Sequence, residues 1–159
     1  MKKKLNLKKN KFIPVNTPKI FYQDKINVKE CLDKGWISSE GNFVKQFEKN
    51  FSKYINKKYA IAVTNGTAAL EIALKSLNLK KNDEVIIPSL TYIATANAVR
   101  YCNSTPNFVD IEKKNLGICQ NKLEAYLQRI TKKIGRYYYN KKTGRKIKAL
   151  IAVHLYGFP

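Results

Sequence analysis

Apolar residues between Asn42 and Ile55 recur three and four positions apart: Phe43, Val44, Phe47, Phe51, Tyr54 and Ile55. This is the period of a helix with one apolar face, and such a face must pack on something large. Before it, Ile26, Cys31 and Leu32 give a shorter helical stripe that Gly35 closes. From Tyr59 onward the pattern becomes one of compact apolar runs alternating with helical ones. "YAIAVT", "DEVIIP", "PNFVD" and "KALIAVHLYG" read as four strands, and "TAALEIALKSLNL", "TYIATANAVRYC" and "QNKLEAYLQRI" as the helices between them. Strands that are apolar on both faces and alternate with helices predict an α/β fold with a mainly parallel sheet flanked by helices.

Two segments break this rhythm. "TKKIGRYYYNKKTGRKIK" has two β-like runs around "NKKTG", which predicts a basic β-hairpin inserted on the surface at 132–148. The chain also stops at "HLYGFP", directly after a strand, where a sheet of this kind normally continues into another helix. The expectation is an incomplete large domain over 12–159, truncated after 159, preceded by a mobile basic arm at 1–11.

Charge changes the picture less than its size suggests. The 159 residues carry a net charge of +20, which invites a nucleic-acid reading through counterion release. Only Arg100, Arg129, Arg136 and Arg145 are arginines, leaving 27 lysines spread over nearly every solvated face. Guanidinium, with its planar fork, is the usual reader of base edges, so specific nucleic-acid binding is not expected, while anionic substrates remain compatible. Cys31, Cys102 and Cys119 are odd in number and widely spaced, which indicates reduced thiols in a cytoplasmic protein. A lone histidine, His154, excludes a His-rich metal site. The opening "MKKKLNLKKNKFIP" lacks an apolar run of signal-peptide length, and no membrane insertion is expected.

Ligands of open α/β sheets sit at the carboxyl ends of strands, which directs attention to four loops. In "AVTNGTAAL" the strand candidate stops at Asn65-Gly66 and a helix begins at Thr67. Gly66 permits close backbone approach, and the free N–H groups of a helix start with a Thr hydroxyl can hold phosphate. On the local pattern alone the same residues read first as a tight turn with Asn65 or Thr67 as a plain N-cap. Tyr92, at the mouth of the next helix, can stack on a flat heterocycle or sit in the core with its hydroxyl satisfied. His154 and Tyr156 offer polar groups at the last strand end, and Asp110 reads as a helix or turn cap. "WISSEG" puts Trp36, Ser38 and Ser39 in an exposed loop that is either a substrate contact or a capped helix entry.

Taken together, "GWISSEGNFVKQFEKNF", "AVTNGTAALEIAL", "DEVIIPSLTYIATANAV", "TPNFVDI" and "ALIAVHLYGFP" resemble the DegT/DnrJ/EryC1/StrS sugar aminotransferases in order and spacing, from about Phe12 to Pro159. "NKKTGRKIKALIAVHLYGFP" is most similar to the branch that makes legionaminic-acid and bacillosamine-type precursors, and "WISSEG" is similar to perosamine synthases. The resemblance implies the fold of aspartate aminotransferase (fold type I) and pyridoxal 5'-phosphate (PLP) as cofactor. It assigns Asn65, Gly66 and Thr67 to the cofactor phosphate and Tyr92 to its ring. Trp36, Ser38, Ser39, His154 and Tyr156 would lie around substrate and cofactor.

The implied reaction turns a nucleotide-linked 4-keto-6-deoxy sugar into its 4-amino sugar, with glutamate as donor, in surface polysaccharide or nonulosonic acid biosynthesis. A homodimer is implied as well. The family's Schiff-base lysine and pyridine-pairing aspartate come after the position of Pro159, so no catalytic residue is expected here and this chain alone is expected to be inactive. Rival readings are a non-catalytic remnant, a PLP-dependent sugar dehydratase of the same family, and, more distantly, a basic nucleic-acid-binding module.

Overall fold

The computed structural model describes residues 12–14 and 16–158; the basic arm expected at 1–11 lies outside them. The chain divides into two compact units, 1–62 and 63–159.

In the first unit, α1 (Tyr22–Asp33) and α2 (Asn42–Tyr54) form where the apolar spacing predicts them. Asp24 accepts from the backbone N–H of Phe21 at 2.8 Å and so caps the start of α1. Gly35, at φ +68°, stops it, and the N–H of Trp36 returns to the carbonyl of Cys31 at 2.7 Å. Neither helix contains a fully buried residue. The stripe expected on α1 is therefore not buried among the described residues: Ile26 is 40% and Leu32 64% exposed, and only Cys31 is half-buried. On α2 the Phe47 and Phe51 rings stack 5.6 Å apart along an exposed face.

The segment 59–64, expected as the first strand, is not one. Among the described residues no strand pairs with it, and without a partner an apolar run has no ladder to complete. One of its donors, the N–H of Ala62, is taken by the Glu48 carboxylate at 2.8 Å.

The second unit holds α3 (Gly66–Ser76), β1 (Glu84–Pro88), α4 (Ile93–Tyr101), β2 (Thr105–Val109), α5 (Gln120–Ile130), β3 (Thr131–Ile134), β4 (Tyr137–Asn140) and β5 (Lys146–Leu150). The five strands form one sheet in the order β2-β1-β5-β4-β3. β1 is parallel to both β2 and β5, whereas β4 and β3 add antiparallel strands at the edge. The tight turn of this edge hairpin is at Gly135 and Arg136, and "NKKTG" closes a second turn between β4 and β5.

β1 is buried along its whole length because it lies between two strands and under helices. Val85 and Ile87 pack with Leu74 of α3 and with Ala98 and Val99 of α4. Each such Val, Leu or Ile side chain contributes about 1.5–3 kcal/mol on burial. On the opposite face α5 spans an apolar groove of about 790 Å³ lined by Ile86, Leu123, Leu127, Tyr138 and Ile147.

β5 ends at Leu150, short of the expected strand end at His154. The N–H of Ile151 still donates to the carbonyl of Ile86 at 2.9 Å. The next ladder bond would come from residue 88, which is proline and has no N–H, so the pairing stops there.

Asparagine ends three of the helices. Asn56, Asn78 and Asn103 follow the C-caps of α2, α3 and α4 at φ 51°, 52° and 55°. Asparagine is the residue besides glycine that adopts this left-handed cap most readily.

Candidate functional site

Because β1, β2 and β5 run parallel, their carboxyl ends share one edge of the sheet. The loops 89–92 and 151–156 leave from that edge, and the N–H of Ser89 ties it to the carbonyl of Val109 at 2.9 Å. α3 runs through 77–83 into the amino end of β1, and its Glu71 carbonyl lies 3.7 Å from Sγ of Cys102 just past the end of α4. Its own N-terminus therefore points back toward the carboxyl edge.

At that N-terminus Asn65 is the cap. Its Oδ1 accepts from the N–H of Ala68 at 2.9 Å, and its carbonyl accepts from Ala69 at 3.1 Å. A side chain that is both short and an acceptor is needed here, which is why the helix starts at an Asn-Gly pair. The N–H groups of Gly66 and Thr67 have no acceptor among the described residues. A Cβ built on Gly66 would meet nothing within 4 Å, so the space beside this turn is open. The helix dipole adds about half a positive charge at the same point. The arrangement fits an anion the size of a phosphate. Asn65 as N-cap and the open donors of Gly66 and Thr67 coexist, so the two local readings of this turn are not exclusive.

Tyr92 occupies the N-cap position of α4, with its side chain 77% exposed rather than in the core. The loop that carries it is braced by Thr91 and Thr95, whose hydroxyls lie 2.8 Å apart, Thr95 being buried. Sequence reasoning missed this pair; its signal is a threonine just before the N-cap aromatic and another in the first turn of the helix after it. His154 and Tyr156 are exposed beyond β5.

Tyr156 stands at φ 53° and ψ 22°, a left-handed conformation that a bulky residue adopts at a cost of about 1–3 kcal/mol. Replacing it with glycine is expected to leave stability unchanged or raise it by about 1 kcal/mol, read as the urea midpoint. A fall in stability would mean that the side chain holds the loop by packing.

Asp110 does not cap a helix by its side chain. It accepts from Lys122 Nζ at 3.0 Å, and this bond holds the Lys122 ammonium above the usual lysine pKa. Trp36, Ser38 and Ser39 belong to the first unit. There Trp36 is half-buried, meets Phe43 edge-on at 6.1 Å and lies over Gly41, while both serines are exposed. By topology Tyr92, His154 and Tyr156 follow the carboxyl ends of β1 and β5, and the N-terminus of α3 with Asn65, Gly66 and Thr67 is directed toward that same edge.

A polar cluster absent from the sequence reading lies at the opposite, amino-terminal end of β1. Glu84 is 2% exposed and accepts from Asn107 at 2.8 Å, Asn140 at 2.9 Å and the Thr143 hydroxyl at 2.6 Å. Tyr126 of α5 donates to Asn107 at 2.8 Å. Cys31, Cys102 and Cys119 are all free thiols, and burial pushes the Cys102 thiol above its ordinary pKa. Among the described residues no helix is long and apolar enough to cross a membrane, and no cluster of metal-ligating side chains exists.

Comparison with known proteins gives this edge its context. The chain is 42% identical over 149 residues to the GDP-perosamine synthase of Escherichia coli O157:H7, a match covering 94% of the chain and 36% of that protein. It is 41% identical over 127 residues to the spore coat polysaccharide biosynthesis protein SpsC of Bacillus subtilis, covering 80% of the chain and 32% of SpsC. Among solved structures, the putative sugar aminotransferase Spr1654 from Streptococcus pneumoniae in its PMP form superposes with a TM-score of 0.73 at 30% identity, covering 92% of the chain and 33% of that structure. The chain thus spans about a third of the length of these relatives. Residues 19–159 match the model of the DegT/DnrJ/EryC1/StrS aminotransferase family, and the chain belongs to that family.

Proposed function

We propose that the carboxyl edge of the second unit is the cofactor-phosphate end of a PLP-dependent sugar aminotransferase, and that 12–159 forms the amino-terminal part of its large domain. The observation that carries the reading is the pair of open N–H donors on Gly66 and Thr67, with unfilled space where a glycine Cβ would be. A chain whose relatives include an aminotransferase solved with PMP has a reason to keep such a cradle.

Bound there, the cofactor would supply an electron sink that lets an amino group move between carbon atoms. The chain's own residues do the holding. The N–H groups of Gly66 and Thr67 and the Thr67 hydroxyl donate to the phosphate, and Asn65 fixes the helix start that aims them. Tyr92, exposed on a braced loop, covers one face of the pyridine ring. His154 and Tyr156, exposed beyond β5, contact the substrate.

The proposed substrate is a nucleotide-linked 4-keto-6-deoxy sugar, GDP-linked by analogy with the perosamine synthase, and glutamate is the proposed amino donor. SpsC supports a place in surface polysaccharide synthesis. A homodimer in the cytoplasm completes the proposal, in keeping with three unpaired thiols.

The test is to incubate the enzyme, at its full natural length, with PLP, glutamate and a GDP-linked 4-keto-6-deoxy sugar. The expected product carries an amino group at the former keto carbon, with 2-oxoglutarate formed in equal amount. Loss of a sugar hydroxyl without gain of nitrogen would indicate a dehydratase instead.

A further inference from the structure

From Ala125 to Phe158 the chain contains nine lysines and arginines and no aspartate or glutamate. Among the described residues none of these nine forms an ion pair, although Glu124 lines the α5 groove beside Lys133 and Lys148. At the β3–β4–β5 edge part of that charge lies on one face, with Lys133 on the other. The register puts Lys132 opposite Tyr139 and Tyr139 opposite Lys146, so these side chains share a face, and the two-residue repeat adds Ile134 and Tyr137. Lys146 Nζ sits 3.1 Å from the Tyr137 ring centroid, and the Arg136 guanidinium carbon 5.2 Å from it. The Tyr137 phenol is held below the usual tyrosine pKa, first by its hydrogen bond and charge contact with Arg136 and then by Lys146 and Lys148. Cations have been gathered here, not spread apart.

We propose that this face is an electrostatic docking surface for the phosphate-bearing headgroups of an anionic membrane. Charge complementarity and shape both favour that occupant. The surface is a strand ribbon, which lies along a flat headgroup layer. At its tip Ile134 is 53% exposed between Lys132 and Arg136, an apolar residue framed by charge that suits the interfacial zone. A single-stranded nucleic acid would need bare aromatic faces for its bases, but the Tyr137 ring is capped by an ammonium group and Tyr139 is half-buried. A second copy of the same face is excluded by like charge. Headgroups ask only for phosphate contacts, which lysine supplies as a point charge. Docking of this kind is peripheral and needs no membrane-spanning segment.

The experiment is co-sedimentation of the 159-residue chain with phosphatidylcholine vesicles containing about a third phosphatidylglycerol, beside pure phosphatidylcholine vesicles, at several salt concentrations. Because a +20 chain binds any anionic surface to some degree, the face is tested by matched charge reversals. Lys132→Glu with Arg136→Glu and Lys146→Glu is expected to weaken binding by about ten-fold or more. Lys25→Glu with Lys29→Glu and Lys53→Glu, on α1 and α2, should weaken it by less than about three-fold. Far-ultraviolet circular dichroism confirms folding. A milder set with glutamine at the same three hairpin positions replaces the first if it unfolds. Equal losses in the two sets would overturn the proposal, as would tighter binding to single-stranded or duplex DNA than to the vesicles at equal salt.

Discussion

Glu84→Ala is expected to lower the stability of the second unit by about 3–5 kcal/mol, because it strips a charged acceptor from three donors at once. The carboxylate lies almost wholly out of water, and its partners are the Asn107 amide, the Asn140 amide and the Thr143 hydroxyl. Asn107 is on β2, Asn140 ends β4 and Thr143 is in the turn before β5, so one side chain ties three parts of the sheet to β1. Asn140 in turn uses its Oδ1 to accept from the N–H of Lys142 at 2.9 Å, which shapes the "NKKTG" turn. Glu84→Gln should cost roughly half as much, since an amide can keep its oxygen on the two asparagines but turns its NH2 toward the Thr143 hydroxyl. Thr143→Ala, which removes a single donor, should cost about 1–2 kcal/mol. Urea unfolding followed by circular dichroism reads all three as shifts in midpoint at constant slope. A loss under about 1 kcal/mol for Glu84→Ala would mean that water replaces the carboxylate and that the network holds nothing together.

At the opposite end of β1, Thr67→Ala is expected to weaken binding of pyridoxamine 5'-phosphate by about 10–100-fold, the value of one hydrogen bond to a charged group. Gly66→Val should weaken it at least as much, because its side chain would enter the space left open beside this turn. Neither change should disturb folding: nothing within 4 Å opposes a Cβ at Gly66, and the helix cap belongs to Asn65. Asn65→Ala differs in kind, costing about 1 kcal/mol of stability through the lost cap as well as binding. The amine form of the cofactor is the right probe. The aldehyde would form Schiff bases with any of 27 lysines, whereas the amine binds only where a site recognises it.

Both predictions rest on residues of very different legibility. The Asn-Gly-Thr turn is local: strand-like residues end, a cap residue follows and a helix begins, all within a few positions, so the sequence shows where the donors will be. The amphipathic helices and the strands at β1 and β2 are legible for the same reason, through periodicity within one element. The Glu84 cluster is not. Its partners lie 23, 56 and 59 residues away, and nothing around Asp83-Glu84 distinguishes a buried carboxylate from a solvated one.

Pairing explains the other departures. The apolar run 59–64 has strand composition but finds no ladder among the described residues, because β-propensity records fit to a neighbouring strand more than any preference of the backbone alone. β5 is cut short by a proline on β1, more than sixty residues earlier in the chain, which no reading of the "ALIAVHLYG" run by itself could reveal. Asp110 reads as a cap by residue type, yet a lysine one helical turn into α5 takes its carboxylate. The exposed apolar faces of α1 and α2 show the same limit in reverse: periodicity gives the face but not its partner.

The central claim is that the N-terminus of α3 is a phosphate cup for the cofactor. Its most direct test compares pyridoxamine 5'-phosphate with pyridoxamine, which lacks only the phosphate, in titrations of the 159-residue chain followed by ligand fluorescence. The cup predicts that the phosphorylated form binds at least about ten-fold more tightly and that Thr67→Ala abolishes most of the difference. Equal affinity for the two compounds, or a preference that Thr67→Ala leaves intact, would contradict it.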